Sequence, residues 1–161
     1  MESYSVRQNP YSKTSQKDMR SFIISQNLVT CPFGHLNDYK DNVISLEYNE
    51  DHNVWKSLSQ DRKFIEDIKI GDVIIIPFKG IKECILARII SEPIYDIYTG
   101  LFTNEIDGKI YFSNISGEHF KPVVRKIKII NSNIIFEDKR KYIPMNTLSK
   151  ISLPDFILEQ V

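Results

Sequence analysis

The six residues Val73 to Phe78, VIIIPF, constrain the fold of this chain more than any others. They follow a Gly71-Asp72 pair, show no polar alternation and run into Lys79-Gly80. A strand with one wet face alternates, whereas a strand without alternation must be covered on both sides. The chain therefore has to build a sheet with structure packed on each face. Cys84 to Ile90 follows at hairpin distance and is expected to pair with this strand, closed by Glu92-Pro93 because proline removes a ladder donor. Upstream, Trp55, Leu58, Phe64, Ile65 and Ile68 recur at helical spacing, so a helix is expected to deliver the chain into the strand.

The remaining pattern adds strands. Twenty-six isoleucines stand against one alanine, Ala87, a skew toward β-branched residues that lowers helix preference and raises strand preference. Ser3 to Arg7 reads as a first strand stopped by Asn9-Pro10. Met19, Phe22, Ile23 and Ile24 form the apolar stripe of a helix that ends near Asn27 as a left-handed cap. Leu28 to Cys31 is a short strand, broken by Pro32-Phe33-Gly34, and Asn42 to Tyr48 is a further candidate. Asp107-Gly108 lies between Thr103–Ile106 and Lys109–Ser113 as a hairpin turn. Val123 to Ile130 alternates basic and apolar residues, and Ile134 to Glu137 is expected to pair with it across Asn131-Ser132-Asn133. Asn146–Ile151 and Pro154–Leu158 read as short helical turns. With 161 residues, 42% hydrophobic and 11% aromatic, the expectation is one globular α+β domain, a small barrel with helices over its openings.

Charge and chemistry narrow the function classes. The formal net charge is zero, which argues against a protein held on nucleic acid by bulk electrostatics alone. The charges are uneven, however: residues 37–75 carry nine acids and five bases, and residues 121–141 carry seven bases and two acids. A local basic face on the Val123–Ile130 strand, with Arg125, Lys126 and Lys128, follows from that asymmetry. His35, His52 and His119 have no partner at ligand spacing, and Cys31 and Cys84 stand in neither a CxxC nor a CxxH pair, so no metal site is expected. Cys31 and His35 are separated by Pro32 and Gly34, which rules out a shared helix face for a nucleophile and its base. Met1 to Lys17 is polar, and no apolar run nears the roughly 20 residues of a membrane helix, so a cytosolic protein without membrane contact is expected. Base-reading pockets need aromatic faces and nearby cations. Phe33 between Pro32 and Gly34, Trp55, and Arg7 at the end of the first strand are the candidates for such a groove.

These pieces occur in an order that resembles a known module. Tyr4-Ser5-Val6-Arg7, Cys31-Pro32-Phe33-Gly34, Asp61-Arg62-Lys63-Phe64, Gly71-Asp72-Val73, Ile76-Pro77 and Ala87 within Ile85–Ile90 are similar, in order and spacing, to the PUA-like (EVE-related) domain at the N-terminus of Mrr-type restriction endonucleases. The likeness covers about residues 3–96. It implies a PUA-like β-barrel that reads a modified or flipped base without catalysis or cofactor, with Arg7, Phe33, Trp55 and Arg62 at the base. Arg125, Lys126 and Lys128 are then expected on phosphates, with DNA preferred to RNA as partner and a protein partner supplying any effector activity. Two departures stand out: the family's fused nuclease has no counterpart, and Pro32 precedes the corner aromatic. Two alternatives belong beside this reading. One is a protein-interaction module, an inhibitor or subunit from a phage, virus or mobile element, using the same fold. The other is a metal-dependent nuclease built on Asp107 and the Glu137-Asp138-Lys139 triplet.

Overall fold

The structure is a computed structural model that describes residues 1–8, 16–30, 62–94, 104–106, 109–113, 119–120 and 123–161. Its centre is β3 (Val73–Phe78), every residue of which is buried. Strand β4 (Ile81–Ile89) returns antiparallel beside it through a turn at Lys79-Gly80, where Gly80 takes φ 77°. Strand β1 (Ser3–Val6) lies on the other side of β3 and is parallel to it, with Ser3 opposite Val73 and Ser5 opposite Ile75. Strand β2 (Leu28–Thr30), the long β8 (Val124–Ile134) and β9 (Leu148–Lys150) complete a six-stranded sheet in the order β2-β8-β4-β3-β1-β9. The sheet is mixed and curled into a half-barrel. Register shifts between Cys84 and Ala87 mark bulges in the β4–β8 ladder, where an extra residue bends a strand and deepens its twist. A separate three-stranded sheet joins β5 (Asn104–Ile106), β6 (Lys109–Ser113) and β7 (His119–Phe120).

Both faces of the six-stranded sheet are covered, as the lack of alternation in β3 requires. On one face Ile74, Ile76, Ile85, Ala87, Ile89 and Ile127 pack against Met19, Phe22 and Ile23 of α1 (Gln16–Gln26) and against Phe64 and Ile68. Helix α1 ends at Asn27 with φ 53°, the expected left-handed cap. On the other face Val73, Ile75, Cys84, Leu86 and Ile134 of the sheet meet Phe136, Ile143, Leu153 and Ile157 from the C-terminal segment. That segment contains two single-turn helices, α2 (Lys139–Tyr142) and α3 (Asp155–Leu158).

Three expectations need correction. Residues 124–134 form one strand, not a hairpin turning at Asn131-Ser132-Asn133. Asn131 and Ile134 stay paired with Leu86 and Cys84, and the Asn131 side-chain oxygen accepts the Asn133 N–H at 2.8 Å, so the polar triplet is absorbed as an irregularity within the ladder. Leu148–Lys150 is a strand rather than a helical turn, because β1 offers an open edge with which it pairs antiparallel. The described end of the segment before β3 is a π-helical turn, Lys63–Asp67, rather than a regular helix end. The candidate strand at Asn42–Tyr48, the turn at Asp107-Gly108 and the helix before Arg62 lie outside the described residues. Among the described residues no helix is long and apolar enough to cross a membrane.

Candidate functional site

Strand β8 carries the basic cluster singled out in the sequence, and the fold divides it. Lys126 and Lys128 are exposed, while Arg125 is 0% exposed. Arg125 was expected on phosphates; the structure instead uses it as an internal clamp. Its Nη1 donates to the carbonyl oxygens of Phe64 (3.1 Å) and Ile68, and its Nε and Nη2 donate to the Ser91 carbonyl at 3.1 and 3.0 Å. The π-helical turn leaves carbonyls without intrahelical partners, and a planar guanidinium can satisfy several at once where a lysine cannot. One sequence signal pointed this way: Arg125 shares its parity with Ile127 and Ile129, so period-two geometry places it on their face of the strand.

The exposed pair lies on the opposite face and gains a third cation from β4. Lys128 stands directly across from Arg88 in the antiparallel ladder, and Ile90 donates its backbone N–H to the Lys126 carbonyl at 3.0 Å. Arg88 donates Nη1 to the Gly71 carbonyl at 2.9 Å, and the same nitrogen lies 3.7 Å from Met1 Sδ, contacts that hold its guanidinium head near the start of β3 without neutralising its charge. Like charges directly opposite each other in a ladder are destabilising. The described ion pairs, Arg62–Glu66 and Lys150–Glu2, involve none of these three residues. Arg88, Lys126 and Lys128 therefore form a basic row on two paired strands, with Arg88 and Lys128 directly opposite. Sequence reading missed Arg88, since only strand pairing brings residue 88 beside residue 128.

Arg7 and Arg62 are placed elsewhere. Arg7 continues β1 past Val6, at the end of the strand away from the Ser3–Val73–Arg88–Lys128 register. Its backbone N–H donates to the Thr147 carbonyl at 2.7 Å and its Nη2 to the Pro144 carbonyl at 3.2 Å. Its Nε is enclosed without a hydrogen-bond partner, and burial lowers the pKa of its guanidinium from the usual value. Arg7 is thus half-buried beneath the C-terminal segment. Arg62 is exposed at the start of the π-helical turn and pairs with Glu66 at 2.8 Å, one turn on. Phe33 and Trp55, the two aromatic candidates, lie outside the described residues. The row on β4 and β8 and the position of Arg7 belong to opposite ends of the sheet and do not form one groove.

The triplet Glu137-Asp138-Lys139 is built into the C-terminal segment. Lys139 donates Nζ to the Phe78 and Ile81 carbonyls, both at 3.3 Å, bridging the β3–β4 turn. Asp107 lies outside the described residues. Among the described residues no three His, Cys, Asp or Glu side chains gather as a metal site would. Cys84 is buried and free, and burial pushes its thiol pKa up. Compared with protein-family models, curated proteins and solved structures, the chain matches none of them.

Proposed function

We propose that this chain is a non-catalytic nucleic-acid-binding module, a PUA-like reader that seats a phosphate backbone on Arg88, Lys126 and Lys128. The observation that carries the reading is the basic row itself: three cations on two paired strands, with Arg88 and Lys128 directly opposite. Residues two apart on a strand lie about 6–7 Å from one another. Lys126 and Lys128 therefore offer regularly spaced charges to an extended polyanion, and Arg88, its Nη1 held by the Gly71 carbonyl, adds a third positive charge beside them. The curled mixed sheet is compatible with a small barrel. The resemblance to the Mrr-type N-terminal module assigns base contacts to Phe33 and Trp55, with DNA ahead of RNA.

Fluorescence anisotropy with labelled single- and double-stranded DNA and RNA, at two salt concentrations, tests the reading. Binding at low salt is expected, weakened at least about tenfold by Lys126→Glu with Lys128→Glu, as removal of phosphate contacts requires. If no oligonucleotide binds at low salt, or the double variant binds as well as the parent, the proposal fails.

A further inference from the structure

Beyond the end of β8 the chain builds a concavity away from the basic row. Buried and exposed residues alternate through Ile134, Ile135, Phe136 and Glu137, so Ile134 and Phe136 enter the core while Ile135 and Glu137 face outward. Tyr142 closes α2, and α3 buries Ile157 while leaving Phe156 45% exposed. Ile135, Glu137, Tyr142 and Phe156 together line a pocket of about 440 Å³. Its aromatic walls are anchored on Phe136: the Tyr142 ring centroid lies 5.6 Å from that of Phe136, and the Phe156 ring meets Phe136 edge-on at 5.9 Å.

We infer that this pocket binds the cationic head of a lysine or arginine side chain presented by a protein partner. Among the described residues the lining holds one formal charge, the Glu137 carboxylate, beside two aromatic rings and one aliphatic wall. A cation gains from the negative face of each ring and from the carboxylate, while a neutral apolar ligand leaves the carboxylate without a counter-charge. The Tyr142 ring already attracts a cation, since the Lys141 ammonium lies 5.4 Å from its centroid. Ile135, 54% exposed, supplies apolar surface for the methylene stem that a long basic side chain carries behind its charge. The inference does not depend on nucleic-acid binding, which uses the other end of the sheet.

A ¹⁵N-correlation NMR titration of the whole chain tests it. The probes are the blocked amino acids N-acetyl-lysine and N-acetyl-arginine methylamide, the uncharged N-acetyl-norleucine methylamide, and guanosine monophosphate. The two cations are expected to shift the amides of residues 135–142 and 155–158. Glu137→Gln and Phe156→Ala should each weaken that binding about fivefold. Lys141→Gln removes the competing internal cation and should tighten it. Both Glu137 and Phe156 are surface-exposed, and the spectra themselves report whether each variant is folded. The inference is overturned if norleucine or the nucleotide shifts the same amides as strongly as the cations. It is equally overturned if Glu137→Gln or Phe156→Ala has no effect, if Lys141→Gln weakens binding, or if neither cation produces a shift.

Discussion

At the scale of single residues, Arg125 and Cys84 show how burial redirects side chains that chemistry would otherwise place at a site. Arg125 holds three backbone carbonyls, those of Phe64, Ile68 and Ser91, and so ties the π-helical turn and the end of β4 to β8. Arg125→Met is expected to cost about 3 kcal/mol or more, because it leaves buried acceptors unpaired. Arg125→Lys should recover only part of this, since an ammonium lacks the planar fork. Urea denaturation monitored by circular dichroism measures both, and a loss below about 1 kcal/mol for Met would show that the clamp is dispensable. Cys84 gives the corresponding pH dependence. Its thiol is buried and its pKa is raised, chiefly by desolvation, while the unfolded chain ionises near the ordinary value of about 8.5. The thiol's contribution to stability is therefore full below about pH 8.5 and is lost as pH rises through the folded value. Cys84→Ala should flatten that alkaline decline in a pH series of melting curves. An unchanged slope would assign it to other groups.

At the scale of elements, the two-sided burial of β3 decides how the sheet responds to truncation. Ile74 and Ile76 belong to the core under α1, whereas Val73 and Ile75 belong to the core under the C-terminal segment. Alanine at Ile74, Ile75 or Ile76 is expected to cost about 2–4 kcal/mol in each case, with no alternation along the strand. A strand with one wet face would give large and small losses in turn, and that pattern in denaturation midpoints would contradict the two-layer arrangement. The turn that follows obeys backbone sterics rather than packing. A Cβ at Gly80 would meet nothing within 4 Å, yet its φ of 77° lies where side chains are strained. Gly80→Ala should thus destabilise by about 1 kcal/mol through conformation alone.

At the scale of the whole molecule, a zero net charge coexists with a local basic row, and the two make different claims about binding. A row of three cations releases few counterions. The logarithm of the binding constant should therefore fall with log salt at a slope of only about −2 to −3, by the rule of roughly 0.7–0.9 per phosphate. A much steeper slope in the anisotropy titrations would mean that other basic residues engage, and a flat one that phosphate is not the contact.

The fold was largely legible where local rules suffice. The unalternating run Val73–Phe78, the glycine at position 80, the left-handed cap at Asn27 and the pairing of Asn104–Ile106 with Lys109–Ser113 all follow from sterics and hydrophobic period, which act over a few neighbouring residues. Asn131-Ser132-Asn133 and Leu148–Lys150 were misread because each has turn-like or helical local chemistry. Long-range pairing overrode it: β4 holds the triplet in register, and β1 recruits Leu148–Lys150 to its open edge. The candidate site divides in the same way. That Lys126 and Lys128 face solvent could be read from period two, and the same parity set Arg125 apart from them. That Arg88 completes their row, that Arg7 stands at the far end of the sheet, and that Glu137, Tyr142 and Phe156 share one pocket were decided by tertiary structure alone. The physical reason is that sequence spacing fixes which face of an element a side chain occupies, while only strand order, bulges and packing fix which other face it meets.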